Sequence, residues 1–222
     1  MQSFVEEHAL IKAGKFRCPV SPFNVRALLL GNLLCINAYV LVTYRLLDCA
    51  KELSHWGLWL TTAWVAISLK CSIDPQIAEK RGWLTANHIL FEIVAPINLL
   101  ITSVYWSLLR EVALQTYANT ATRAWHSTML HSAPLVCVGI NFYVSDIIIK
   151  ASHGLILFPI SIIYGVLNYQ TTKAQGYPVY HFLTWEDINS TYTYVAMSLG
   201  TLASFYLLAY VTQRIKRPDA SI

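Results

Sequence analysis

A chain of 222 residues with 55% hydrophobic and 13% charged side chains and a mean hydropathy of +0.46 carries about half the charge of an ordinary soluble domain, which is near 25%. That excludes a water-exposed globule of this size and points to a chain embedded in a bilayer. The net charge of +4 reflects a one-sided distribution of Lys and Arg and implies no nucleic-acid partner.

Because a bilayer span takes about 20 mostly apolar residues, runs of that length mark the elements. Six occur. The first covers 25–47, and the second 56–72, closed by the breaker Asp74-Pro75. The third covers 86–109 and contains Pro96; the fourth covers 126–149. The fifth, 154–170, is the shortest, and the sixth, 191–212, ends at Arg214, Lys216 and Arg217. The runs are helix-length rather than alternating ten-residue strands, so the expected fold is all-α, a polytopic transmembrane bundle of about six helices. The expected organisation is a cytoplasmic N-terminal segment over 1–24, a six-helix membrane domain over 25–213 and a short basic tail over 214–222. No internal repeat or linker marks a second domain.

With the N-terminus cytoplasmic, that side collects Lys12, Lys15, Arg17, Arg26, Lys70, Lys80, Arg81, Lys150, Arg214, Lys216 and Arg217. The other side keeps Arg45, Lys51, Arg110, Arg123 and Lys173, so both termini are expected on the cytoplasmic or matrix side. The first twenty residues include Glu6 and Glu7 and lack an apolar core, unlike a cleavable signal or a mitochondrial presequence. The first span then serves as the insertion signal, and the expected location is the endoplasmic reticulum or another endomembrane, with the mitochondrial inner membrane as the alternative. Cys18, Cys35, Cys49, Cys71 and Cys137 form no C-x-x-C pair, and only Cys49 reaches the non-cytoplasmic side, so free thiols are expected. The sequon Asn189-Ser190-Thr191 abuts the last span, where the membrane blocks modification.

A polar group at mid-bilayer costs about 2.5 to 3.5 kcal/mol on insertion scales, so each one asks for a reason. In the fourth run Ser127, His131, Val138, Asn141 and Ser145 share one stripe, which turns that face toward other helices. In the third run His88, Glu92, Ser103, Trp106 and Arg110 do the same, and His88 and Glu92, one turn apart, are expected to pair with each other, with proton relay or substrate contact as alternatives. Two residues make no metal site, and the spacing shows no third ligand, so no metal and no cofactor are expected. Thr61 and His131 each lie five residues below the start of a run entering from the non-cytoplasmic side, roughly 7 to 8 Å deep. A hydroxyl beside an imidazole is the minimum for nucleophilic acyl transfer, whereas a threonine bonded back to its own helix and a satisfied bundle histidine are the ordinary alternatives.

Val94-Ala95-Pro96, the run from Ser103-Val104-Tyr105-Trp106 to Arg110-Glu111, His131-Ser132-Ala133-Pro134 and Gly176-Tyr177-Pro178-Val179-Tyr180-His181-Phe182-Leu183 occur in that order. In this succession the chain resembles the androgen-induced and androgen-dependent protein family, six-span membrane proteins that hydrolyse fatty acid esters of hydroxy fatty acids with a threonine and a histidine. The resemblance implies Thr61 as nucleophile and His131 as base. Where relatives carry an acidic residue about ten positions after the histidine, this chain has Asn141, and Asp146 lies 15 residues away, about 22 Å along a helix. Thr62, Ser127 and Thr128 are rival hydroxyls.

The expected function is thus a membrane-embedded lipid-ester hydrolase with catalytic Thr61 and His131. Asn141, Tyr177 and Tyr180 are assigned to substrate contact, and Tyr177, Tyr180, Phe182 and Trp185 form either an interfacial lid or an aromatic belt. Its partners are membrane lipids, a lipid-ester substrate and other membrane subunits. Two alternatives stand beside it: a non-catalytic family descendant acting as a structural subunit of a larger membrane complex, and a small transporter, which would show an internal repeat and broken helices.

Overall fold

The computed structural model describes residues 21–216 except 75, 78 and 79. Most of the expected N-terminal segment (1–20), Pro75 and the tail from 217 lie outside the described residues. The described chain is all helical, without strands. Helix α1 spans Pro22–Thr43, with Pro22 at its first turn, where a missing N–H costs nothing. A four-residue helix α2, Leu46–Cys49, leads into α3, Leu53–Ile73. Helix α4, Arg81–Val104, passes into a π turn at Tyr105–Leu109 and continues as α5, Arg110–Thr116. Helix α6 spans Ala121–Tyr143, a 3₁₀ segment Ala151–Ile156 leads into α7, Leu157–Gln175, and α8 spans Ile188–Lys216.

Among the described residues four helical stretches are long and apolar enough to cross a membrane: Pro22–Thr43, Arg81–Thr116, Ala151–Gln175 and Ile188–Lys216. Their outward faces are apolar, with Leu28, Leu41 and Val42 on α1, Ile162 and Ile163 on α7, and Leu199 and Leu207 on α8 exposed. Helices α3 and α6, with 21 and 23 residues, occupy the expected second and fourth runs but are not among these four. Their polar residues point inward, where Ser54, His55, Thr61 and Ser68 of α3 and His126 and Asn141 of α6 are buried. Helix α3 packs against α1, α4 and α6, and α4 also packs against α6 and α8. Trp64 stacks on Phe91 and Phe91 on Phe142, with centroids 5.1 and 5.8 Å apart, which joins α3, α4 and α6 at the centre.

The ends of the helices differ from the sequence expectation for identifiable reasons. Helix α6 begins at Ala121, five residues before the apolar run, because hydropathy marks the lipid-buried part and not the first helical hydrogen bond. It stops at Tyr143 rather than 149 because the backbone beyond it has other partners. The Ile149 N–H donates to the Thr212 hydroxyl at 3.1 Å, and the Lys150 N–H donates to a Glu92 carboxylate oxygen at 2.8 Å.

A hydrogen-bonded knot closes one end of the bundle. The Arg26 guanidinium donates through Nε to Asn141 Oδ1 at 2.9 Å, through Nη2 to Ser145 Oγ at 2.8 Å, and through Nη1 to the Ser68 carbonyl and the Ser72 hydroxyl. One side chain thereby ties α1 to α3 and α6. At the other end, Gly176 ends α7 with φ of +77°, a left-handed conformation that only glycine adopts without cost. The loop after it folds back: Leu53, at the first turn of α3, donates its backbone N–H to the Tyr180 phenol oxygen at 3.0 Å. Trp185, with φ of +57°, is held by its indole N–H on Asn168 Oδ1 at 2.7 Å and by the Lys173 ammonium on its carbonyl at 2.8 Å. Those bonds secure a backbone conformation that is uncommon for a bulky residue.

Candidate functional site

His131 is the best-defined chemical group at the loop-bearing end. Its Nδ1 lies 2.7 Å from the Ser127 carbonyl one turn back; a carbonyl only accepts, so Nδ1 carries the proton and Nε2 is left as the acceptor. The ring stacks on Tyr105, centroids 4.2 Å apart and planes 8° from parallel. Two further bonds fix this region: the Thr102 hydroxyl donates to the His131 carbonyl at 2.7 Å, and the Trp106 indole donates to Ser132 Oγ at 3.0 Å. Tyr105 and Trp106 both belong to the π turn, so that turn presents two successive aromatic residues to α6. π turns inside helices are frequent at functional sites.

Two cavities meet at this imidazole. One, with a volume of about 60 Å³, is walled mainly by apolar side chains of α4, α7 and α8, including Ile97, Ile101, Leu157 and Met197, and is bounded on the loop side by Tyr180, Phe182 and Leu183. Among its polar lining residues are His131 and Ser54, with Ser161, Ser198 and Thr201. The other, about 90 Å³, is the more polar of the two and is lined by Asp48, Glu52, His55, Tyr117, His126 and Ser127, again with His131. Neither nitrogen of buried His55 and not the buried Nε2 of His126 has a hydrogen-bond partner among the described residues, although His55 Nδ1 lies 3.2 Å from a Glu52 carboxylate oxygen. Buried polar atoms beside a polar cavity are where bridging water belongs. At the rim, the Lys51 ammonium 2.8 Å from Asp48 holds that carboxyl below its usual range, and burial pushes the Cys49 thiol up.

Thr61 is fully buried on α3, but its hydroxyl has other partners: it donates to the Gly57 carbonyl at 2.6 Å and accepts from Asn98 Nδ2 at 2.8 Å. No hydrogen bond joins Thr61 to His131 among the described residues, and Thr61 lines neither of the cavities that contain His131. Both helices start earlier than the apolar runs implied, which puts Thr61 eight residues and His131 ten residues into their helices, roughly 12 and 15 Å deep. Of the rival hydroxyls, Thr62 bonds back to the Leu58 carbonyl and accepts from Asn37, Thr128 meets the Tyr105 hydroxyl at 3.0 Å, and Ser127 faces the polar cavity.

The residues assigned to substrate contact separate. Tyr180 lines the apolar cavity, whereas Tyr177 is 63% exposed and does not. Asn141 is buried in the Arg26 knot, ten residues and roughly 15 Å along α6 from His131. Trp185 packs against Tyr169 and Tyr194 rather than over the cavity. The inward stripe of α4 also differs from the expected one: His88, Glu92, Asn98 and Tyr105 are buried, while Ser103 and Trp106 are exposed. Ser54, Asn98 and the stacking role of Tyr105 went unmarked in the sequence, and only Tyr105, beside Trp106 in an otherwise aliphatic run, gave any signal there.

Comparison of the chain with protein-family models, with curated proteins and with solved structures returned no match.

Proposed function

We propose that this is a membrane-embedded lipid-ester hydrolase in which His131 moves the proton. The observation that carries the reading is the position of this imidazole on the partition between an apolar and a polar cavity, with Nε2 left as an acceptor. An acyl chain in the apolar space brings its ester carbonyl to the partition, and water reaches the same point from the polar side. A hydroxyl of the protein attacks the carbonyl carbon while Nε2 of His131 takes its proton; the proton passes to the departing alcohol, and water hydrolyses the acyl-enzyme by the same exchange. The family resemblance names Thr61 for the attack. Ser54 is favoured by a separate observation, since it lines the apolar cavity together with His131, seven residues or roughly 10 Å nearer the helix start than Thr61. The rest of the reading is a six-span topology with α3 and α6 inside the bundle, an endomembrane location and substrate entry from the bilayer.

The test is hydrolysis of fatty acid esters of hydroxy fatty acids by purified protein. His131→Ala is expected to lower kcat by about 10² to 10⁴-fold, and whichever of Thr61→Ala and Ser54→Ala loses activity to a similar degree identifies the nucleophile. Unchanged activity in folded His131→Ala rejects the proposal. The alternative, a non-catalytic subunit of a larger membrane assembly, is favoured by the closed hydrogen bonding of Thr61. It is read from an inactive wild type that purifies in mild detergent as a stoichiometric complex.

A further inference from the structure

Glu92 of α4 is fully buried at the bundle end that holds the Arg26 knot, roughly 15 Å along α4 from Thr102 and the His131 site. His88, one turn earlier on α4, puts Nε2 2.9 Å from Glu92 Oε1, and His153 of the 3₁₀ segment puts Nδ1 2.7 Å from Glu92 Oε2. The Lys150 N–H holds Oε1 as well, at 2.8 Å. The third ligand that spacing did not reveal thus comes from 61 residues further along the chain.

We propose that His88 Nε2, Glu92 Oε2 and His153 Nδ1 bind a divalent first-row transition ion of the zinc type. The three potential ligand atoms lie within 4.8 Å of one another, and a tetrahedral Zn²⁺ with bonds of about 2.0 to 2.1 Å separates its ligand atoms by roughly 3.4 Å. Lengthening the His153 Nδ1–Glu92 Oε2 contact by roughly 0.7 Å and turning the His88 ring from Oε1 toward Oε2, both rotamer adjustments, makes room for the ion. Each imidazole shifts its proton to its other nitrogen and turns a lone pair inward, so two N–H donors are replaced by two coordinate bonds and the buried carboxylate gains a dication. Two imidazoles and one carboxylate form the donor set of open zinc sites, with a fourth position for water. Lys150 supplies the outer bond that orients the carboxylate through the oxygen the metal does not use. His153, with its side chain 36% exposed, leaves the ion a way in. The ion clamps the connection between α6 and α7 onto α4, and this role is independent of ester hydrolysis.

The test uses full-length protein in mild detergent, stripped by chelator and then dialysed against Zn²⁺ alone, or against Co²⁺ as a spectroscopic substitute. Wild type is expected to bind one Zn²⁺ per chain, and the Co²⁺ form to show the intense visible bands of four-coordination. His88→Ala and His153→Gln are expected to weaken binding at least about 10 to 100-fold, the loss caused even by outer-shell changes. Where a variant fails to fold, by circular dichroism and gel filtration, wild-type stoichiometry and the Co²⁺ spectrum decide. Substoichiometric Zn²⁺ in wild type, or unchanged affinity in the folded variants, overturns the proposal and leaves a metal-free His–Glu–His proton-sharing cluster.

Discussion

Arg26 shows how much one side chain can hold in a bundle. Its guanidinium spans Ser72 and the Ser68 carbonyl on α3, Asn141 on α6 and Ser145 just beyond it, a planar set of donors that no ammonium reproduces. Replacing it with Ala strands Asn141 Oδ1 and leaves a void. A loss of about 1 to 3 kcal/mol is expected, the cost of unpaired buried polar groups, read as an earlier thermal transition in detergent; Arg26→Lys should recover less than half of it. At the same scale, part of the site was legible in the sequence. His131 stood out because an imidazole inside an apolar run needs a reason, and its Ser127, Tyr105 and Thr102 partners supply one. Asn141 stood out equally, yet its partner is an arginine at the far end of the bundle. Polarity says that a buried group must be satisfied; it does not say by whom. His153 was invisible as a partner of Glu92, since no helical spacing relates residues 61 positions apart.

Among the elements, α3 and α4 approach each other tightly at Gly57. A Cβ there would lie 2.6 Å from Asn98 Oδ1 and 2.7 Å from Ile101 Cδ1, the same asparagine whose amide reaches Thr61. Gly57→Ala is therefore expected to push the two helices apart at a cost of about 1 to 3 kcal/mol. Gly31→Ala on α1, where a Cβ meets nothing within 4 Å, should gain about 0.5 to 1 kcal/mol from helix propensity. The contrast, measured by detergent melting of the two variants, separates crowding from chain entropy. Helix positions were legible because apolar length is a direct consequence of bilayer thickness, and each of the six runs lies largely within helix. Their ends were not. They are set by single hydrogen bonds such as those from Ile149 to Thr212 and from Lys150 to Glu92. The expected stripe departs at Ser103 and Trp106, both exposed, and from Tyr105 to Leu109, where the chain is wound more loosely, counting by threes and fours no longer tracks one face.

For the molecule as a whole, the helices alternate in direction, so 45–52, 117–126 and 177–183 gather at one end, while Arg26, Glu92 and Thr212 gather at the other. The bonds from Tyr164 to the Lys51 carbonyl and from Leu53 to Tyr180 fix the first group, and the Glu92 and Thr212 bonds fix the second. If all six long helices cross the bilayer, an even number of crossings returns the chain to its starting side. Fluorescent or protease-sensitive tags at the two termini should then report the same face, and a tag inserted at 186–187 the opposite one. Tags on opposite faces would mean that one of α3 and α6, the two long helices outside the four candidate spans, does not cross. The all-helical character and the four long apolar helices were legible from the length of the apolar runs. The pairing of an apolar with a polar chamber was not, because it arises from the relative rotation of helices that each look uniformly mixed in the sequence.

The wider winding at Tyr105–Leu109 has a further consequence. Such a coil is what one surplus residue leaves in a helix that otherwise keeps its pitch. Deleting a single residue of that pentapeptide would restore the regular coil and leave whatever follows nearly in phase, because the loose turn absorbs the extra residue. Loss of Tyr105 or Trp106 in particular would remove the aromatic contact with the imidazole or the indole bond to Ser132 outright. The spare residue is what allows two consecutive rings to face the same neighbouring helix, so a one-codon loss there should be felt chiefly where it takes one of them.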